Sequence, residues 1–223
     1  MHRVSPFFPV ATVLLLVGCS SPGVVVEVLP PRTSVTCAAP TKADPALGRG
    51  LLDVTATLGA HGSYVADLRM SVQGLDARIT GVTVEYELPE GAPNKVKDAA
   101  EDASGDVVVG DVLLAGSGDD LRAAVLENVE LVPRDLAVAL QEDTDLGLSK
   151  IEFARLGVTI TPILDAATTA TATSSGFAID VCKGCLVLPP DACADDGDNA
   201  LNPAVCRVGQ DTALFTCVQG GAP

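Results

Sequence analysis

Strict alternation of apolar and polar residues between positions 51 and 88 constrains this chain more than any other feature. Leu52, Val54, Ala56 and Leu58 alternate with Asp53, Thr55 and Thr57. Tyr64, Ala66, Leu68, Met70 and Val72 alternate with Val65, Asp67, Arg69 and Ser71. Val82, Val84, Tyr86 and Leu88 alternate with Thr83, Glu85 and Glu87. A period of two sends successive side chains to opposite faces, so each run reads as a half-buried strand with one dry and one wet face. One-sided wetting is a habit of antiparallel sheets. The short joins Gly59-Ala60-His61-Gly62 and Gly74 to Arg78 therefore read as hairpin turns.

Further strands are expected at 106–115, 123–132, 150–161 and 172–181, where the alternation is looser. Around Phe153-Ala154-Arg155-Leu156 the apolar phase slips by one residue, which predicts a bulge. Pro133 to Gln141 breaks the pattern. Pro133 suits a first helical position, and Leu136, Ala139 and Leu140 share one face, so a short helix is expected there. The expected class is all-β: an immunoglobulin-like antiparallel β-sandwich of about seven strands, with one short helix and a disulfide-rich C-terminal tail.

The core must be aliphatic. The chain has no Trp, two Tyr and five Phe. Tyr64 and Tyr86 fall on apolar faces, where packing is their expected use. So few rings argue against a polysaccharide-binding module, which presents aromatic platforms to sugars.

The N-terminus carries a different signal. Met1-His2-Arg3 is followed by an apolar run from Phe7 to Val17, too short to span a bilayer. It closes on Leu16-Val17-Gly18-Cys19. This stretch resembles the lipobox of bacterial lipoproteins. The resemblance implies that residues 1–18 are a signal peptide and that the Cys19 thiol carries a thioether-linked diacylglycerol. Ser20 in the next position implies delivery to the outer membrane, on its periplasmic or cell-surface face. Residues 19–48 then read as a lipidated tether, interrupted by Pro22, Pro30, Pro31, Pro40 and Pro45. In extended polyproline geometry, residues 20–48 at about 3.1 Å each would reach roughly 90 Å from the bilayer. An alternative places Val24-Val25-Val26 as an edge strand, with Cys37 pinning the end of the segment. The expected layout is a β-sandwich domain over 49–182 and a cysteine-rich extension over 183–223.

Seven cysteines become six once Cys19 is committed to lipid. Cys37, Cys182, Cys185, Cys193, Cys206 and Cys217 are an even set in an exported chain and read as three disulfides of open pairing. Cys182-Lys183-Gly184-Cys185 follows a strand-like segment and runs into Pro189-Pro190, whereas a redox pair wants a helix N-terminus. A zinc ribbon would want a second close pair, which is missing. Structural disulfides are the expectation. The layout of Ser175, Phe177, Cys182, Gly184-Cys185-Leu186, Cys193, Cys206, Gly209-Gln210-Asp211 and Cys217 resembles cysteine-tailed lipoproteins of Gram-negative, especially myxobacterial, type. That group implies a periplasmic or surface lipoprotein and transfers no catalytic residue.

The formal net charge is −15, and loss of Arg3 with the signal makes it one unit more negative. Such a balance disfavours nucleic acid and anionic lipid surfaces as partners. Two acidic stretches are candidates for calcium: Asp191, Asp195, Asp196, Asp198 and Asn199, and Glu142-Asp143-Thr144-Asp145-Leu146-Gly147. Neither follows the EF-hand order. Gly91 to Gly105, with Lys95, Lys97, Asp98, Glu101 and Asp102, reads as a long contact loop. His61 is expected in a turn, and no G-x-S-x-G, H-E-x-x-H or phosphate-binding glycine loop occurs.

The expected function is a non-enzymatic interaction or structural module, joined to the outer membrane through Cys19 and meeting other envelope proteins. No catalytic residue, cofactor or metal site is assigned. The alternative is a small-ligand or calcium-binding module using the 91–105 loop or the tail acids. A hydrolase with paired carboxylates ranks third.

Overall fold

The computed structural model describes residues 23–32, 37–55, 63–115, 121–149, 151–186, 197–201, 206, 210–211 and 215–219. Cys19, His61, Cys193 and Asp191, Asp195 and Asp196 lie outside them. In chain order the elements are β1 (Gly23–Val28), β2 (Arg49–Asp53), β3 (Tyr64–Gln73), β4 (Ala77–Glu87), α1 (Asn94–Ala103), β5 (Gly105–Leu114) and β6 (Leu121–Val132). They continue with α2 (Arg134–Glu142), β7 (Ala154–Leu164), β8 (Thr171–Ala172), β9 (Ser175–Cys182), β10 (Gly197–Leu201) and β11 (Phe215–Gln219).

The fold is mostly β. Three sheets form among the described residues, ordered β6-β3-β1-β8, β2-β9-β7-β4-β5 and β10-β11. The sheets are mixed, because β1 pairs in parallel with β8 and β2 in parallel with β9. An all-antiparallel arrangement with about seven strands is thus corrected. Alternation reports a wet and a dry face but not strand direction, and both parallel pairs join segments far apart in sequence.

The two larger sheets feed one buried cluster. Val24, Leu68, Met70 and Leu131 enter it from the first, and Ile79, Val84, Leu156, Ile160 and Ile179 from the second. Each fully buried aliphatic side chain of this size contributes about 1.5–3 kcal/mol relative to exposure. Phe177 and Tyr64 supply its ring pair, with centroids 6.1 Å apart.

Several joins differ from expectation. β3 and β4 do not pair with each other; they lie in different sheets. Gly74 to Arg78 is therefore a corner from one sheet to the other, not a hairpin. β2 and β3 are likewise in different sheets. The apolar phase slip near Phe153 is no bulge. β7 begins at Ala154, pairs with β9 without a register break, and buries Ala154, Leu156, Val158 and Ile160 in strict alternation. The slip marks where an exposed loop, with Ile151 and Phe153 facing solvent, becomes a strand. Bulges fall instead in β6, opposite Asp67 and between the partners of Tyr64 and Val65, and in β4 between Ile79 and Gly81.

Gly91 to Gly105 is a helix over most of its length, not a loop. In α1 the buried residues are Val96 and Ala100, one turn apart on a single stripe. The stripe packs beside α2, whose Leu136, Ala137, Ala139 and Leu140 are buried, and Lys95 of α1 bonds Glu142 of α2. The helix predicted over 133–141 is α2, with Pro133 as its extended N-cap and not its first helical residue.

The segment read as a tether is also corrected from Gly23 onward. β1 sits between β3 and β8, with Val24, Val26 and Val28 buried. The chain after it stays on the domain. Leu47 N–H donates to Val28 O at 2.7 Å, and Arg69 Nη1 donates to the carbonyls of Lys42 (2.9 Å) and Asp44 (2.8 Å). A run of valines buries enough surface to hold a place between two strands, which a solvated tether would leave wet. Among the described residues, no helix is long and apolar enough to cross a membrane.

Candidate functional site at the disulfide-braced end

The ends of β2 and β9 lie side by side, and their pairing places Asp53 opposite Cys182. Alternation put Asp53 on a wet face, yet it is fully buried. Its carboxylate organises the Cys182–Cys185 loop. Oδ1 accepts from Gly184 N–H at 2.8 Å, Thr55 N–H at 3.0 Å and the Thr55 hydroxyl at 2.8 Å. Oδ2 accepts from Leu186 N–H at 2.9 Å. Gly184 has φ +73, a left-handed turn that favours glycine and aims the loop amides inward. Cys182 and Cys185 are bonded to each other, with Cα atoms 6.0 Å apart.

Asp53, Cys182 and Cys185 bring one oxygen and two sulfurs within 4.8 Å of one another. That is a donor set for a soft divalent ion when the sulfurs are thiolates. Joined as a disulfide they offer none, and the carboxylate is already taken up by four protein donors. The arrangement is a brace.

A second cross-link, Cys37–Cys206, ties the tail to the segment after β1 across 169 residues. Close by, the tail returns to the sheets. The Gln210 side chain pairs with the main chain of Val65, donating Nε2–H to its carbonyl at 2.7 Å and accepting its N–H at 2.9 Å. Asp211 Oδ1 accepts from Leu51 N–H at 2.7 Å, and Oδ2 from the Tyr64 hydroxyl at 2.7 Å. Gly50 makes room for this: a Cβ there would lie 2.4 Å from the Tyr64 hydroxyl oxygen. Nothing in the local sequence pairs residue 210 with residue 65. The sole hint was Gly209-Gln210-Asp211 within the cysteine-tailed layout.

Beside this contact lies an open groove of about 380 Å³. Pro31, Leu47, Leu51 and Phe153 supply its apolar lining, and Arg49, Asp180 and Asp211 its polar groups. The volume falls in the range of small-ligand clefts. Phe153 is 49% exposed. Arg49 bonds Asp180 and Arg155 lies 3.8 Å from it, so both carboxylates of the groove already have partners.

Asp67 is a second buried acid on a face that alternation marks as wet. Asp67, opposite the β6 bulge, receives Arg32 Nε at 2.9 Å on Oδ2, and Arg32 Nη2 and Asn128 N–H at 2.9 Å on Oδ1. Its hydrogen bond holds the Arg32 guanidinium in the charged form, against the opposing effect of burial. Tyr86 donates to Leu131 O at 2.9 Å, and burial, followed by the charge of Glu130, pushes its phenol upward.

Other expected positions fall as follows. Lys95 faces α2, and Lys97, Asp98, Glu101 and Asp102 are exposed on α1. Asp143 caps the turn after α2, its Oδ1 accepting from Asp145 N–H at 2.8 Å and Leu146 N–H at 3.1 Å. It folds its own backbone rather than an ion shell. Asp198 and Asn199 lie in β10, opposite Val218 and Cys217 of β11.

Comparison of the chain with protein-family models, with curated proteins and with solved structures finds no match.

Proposed function

We propose that this chain is a lipid-anchored envelope protein, held at the outer membrane through Cys19, whose β-rich domain is a non-enzymatic interaction or structural module. The observation that carries this reading is Leu16-Val17-Gly18-Cys19 at the end of a short apolar run behind a basic start. Two cross-links among the described cysteines fit the oxidising compartment to which such a signal delivers. For the domain we propose an immunoglobulin-like β-sandwich, departing from the plain form by its parallel pairs and two helices. What supports the layering is the single buried cluster fed by both larger sheets.

Labelling with an alkyne palmitate in a Gram-negative host tests the anchor. The wild-type chain takes up label and is processed, and Cys19→Ser accumulates as unlabelled precursor. Label on the Cys19→Ser chain would refute the reading.

A second reading, a small-ligand module, draws support from the groove between Phe153, Arg49, Asp180 and Asp211. A ligand of that site raises the melting temperature of the wild type but not of Phe153→Ala with Arg49→Ala. Equal shifts in both proteins would remove it.

A further inference from the structure

We infer that the Gly23 end of the domain rests on the lipid headgroups, with the helices, the Cys182–Cys185 brace and the groove turned away from the bilayer. The inference rests on the anchor proposed above and adds an orientation to it. Lipid on Cys19 fixes that residue at the membrane surface. From Cys19 to Gly23 are four residue steps, which span at most about 14 Å however extended. Gly23 is no longer part of a free tether, because Val24 and Val26 are buried in the sheet and Gly23 pairs with Thr171. The reach of roughly 90 Å that a solvated segment would give is lost. A headgroup layer is itself about 5–8 Å deep on each side of the hydrocarbon.

The strand registers say which parts share that end. Gln73 of β3 pairs with Leu121 of β6, Ala77 of β4 with Leu114 of β5, and Ile79 with Leu164 of β7. The β3–β4 corner and the 165–170 connection therefore lie at the Gly23 end. Glu87, Ala154 and Cys182 close the opposite ends of β4, β7 and β9. β4 alone, from Ala77 to Glu87, separates the two ends by about 33 Å. α1 and α2 follow the far ends of β4 and of β6.

Electrostatics do not set this orientation. Among the described residues at the Gly23 end, Arg122 pairs with Asp76 and Arg78 pairs with Asp111 beside Asp165, which leaves these no basic excess to seek anionic headgroups. The short covalent link does the work. The occupant of this face is the leaflet that holds the acyl chains of Cys19.

The chain has no tryptophan, so a single one can be placed as an energy donor. Ala167 is exposed at the Gly23 end and Lys97 is exposed on α1. Lipidated Ala167→Trp and Lys97→Trp proteins would be reconstituted into phosphatidylethanolamine–phosphatidylglycerol vesicles doped with dansyl-phosphatidylethanolamine. Flotation is measured on the same samples. The expected result is co-flotation of both, with energy transfer several-fold stronger from position 167 than from position 97. A flexible Gly/Ser insert of twenty residues after Ser20 should abolish that difference while flotation persists. Equal or reversed transfer in floating protein would overturn the orientation and leave the anchor standing. Failure to float would remove the anchor, and the orientation with it.

Discussion

Replacing Asp53 by alanine should loosen the brace more than any exposed substitution nearby. The carboxylate accepts four hydrogen bonds, two of them from the loop amides of Gly184 and Leu186. Thr55, only half-buried, can recover water for its lost bonds. The Leu186 amide is buried and cannot, and the Gly184 amide is partly so. A stranded buried donor costs about 1–3 kcal/mol, so the two amides set a loss of about 3 kcal/mol. At a urea dependence of about 2 kcal/mol per molar, the unfolding midpoint should fall by about 1.5 M with the slope unchanged. Asp53→Asn keeps one acceptor oxygen and should fall between the wild type and Asp53→Ala. Equilibrium urea unfolding with disulfides intact makes the measurement. A midpoint drop below about 0.3 M for Asp53→Ala would show that the loop amides find other partners and that Asp53 is not the brace.

Gly50→Ala should destabilise by about 1–3 kcal/mol, since its Cβ must displace the buried Tyr64 hydroxyl; adding Tyr64→Phe should recover part of the loss in a double-mutant cycle, and strict additivity would contradict the contact. Tyr86 titrates higher in the folded than in the unfolded chain, whose value is near 10.0. Its contribution is therefore complete below that pH and is lost as pH rises above it. Tyr86→Phe should cost about 1 kcal/mol at neutral pH and flatten the decline above pH 10, as read by urea midpoints across pH. Cys37→Ser with Cys206→Ser should cost about 2–5 kcal/mol and expose the tail to limited proteolysis. An unchanged cleavage pattern would show that Gln210 and Asp211 hold the tail unaided.

Half-buried strands were legible in the sequence because a two-residue period survives in any single element. Their partners were not. Nothing in Tyr64 to Gln73 says that β3 pairs with β1 and β6 rather than with the adjacent β4. α1 was hidden because its buried stripe consists of one valine and one alanine, set among charges and bounded by glycines. Val24 to Val26 can read as an edge strand, but prolines on both sides favour a tether. At the braced end the cysteines announced themselves and their partners did not. Asp53 and Asp67 occupy polar positions of an alternating pattern, where a buried acid and a solvated one look alike. Their donors, Gly184, Leu186 and Arg32, come from distant chain or from loop backbone. Gln210 and Asp211 meet residues about 150 positions away, beyond the reach of any local pattern.

We propose that Cys19 carries lipid and begins the mature chain. Intact-mass and N-terminal peptide analysis of protein purified from its native envelope tests it most directly. The expected first residue is Cys19 bearing a diacylglyceryl thioether. A mature protein beginning elsewhere, or with an unmodified Cys19 thiol, would contradict it.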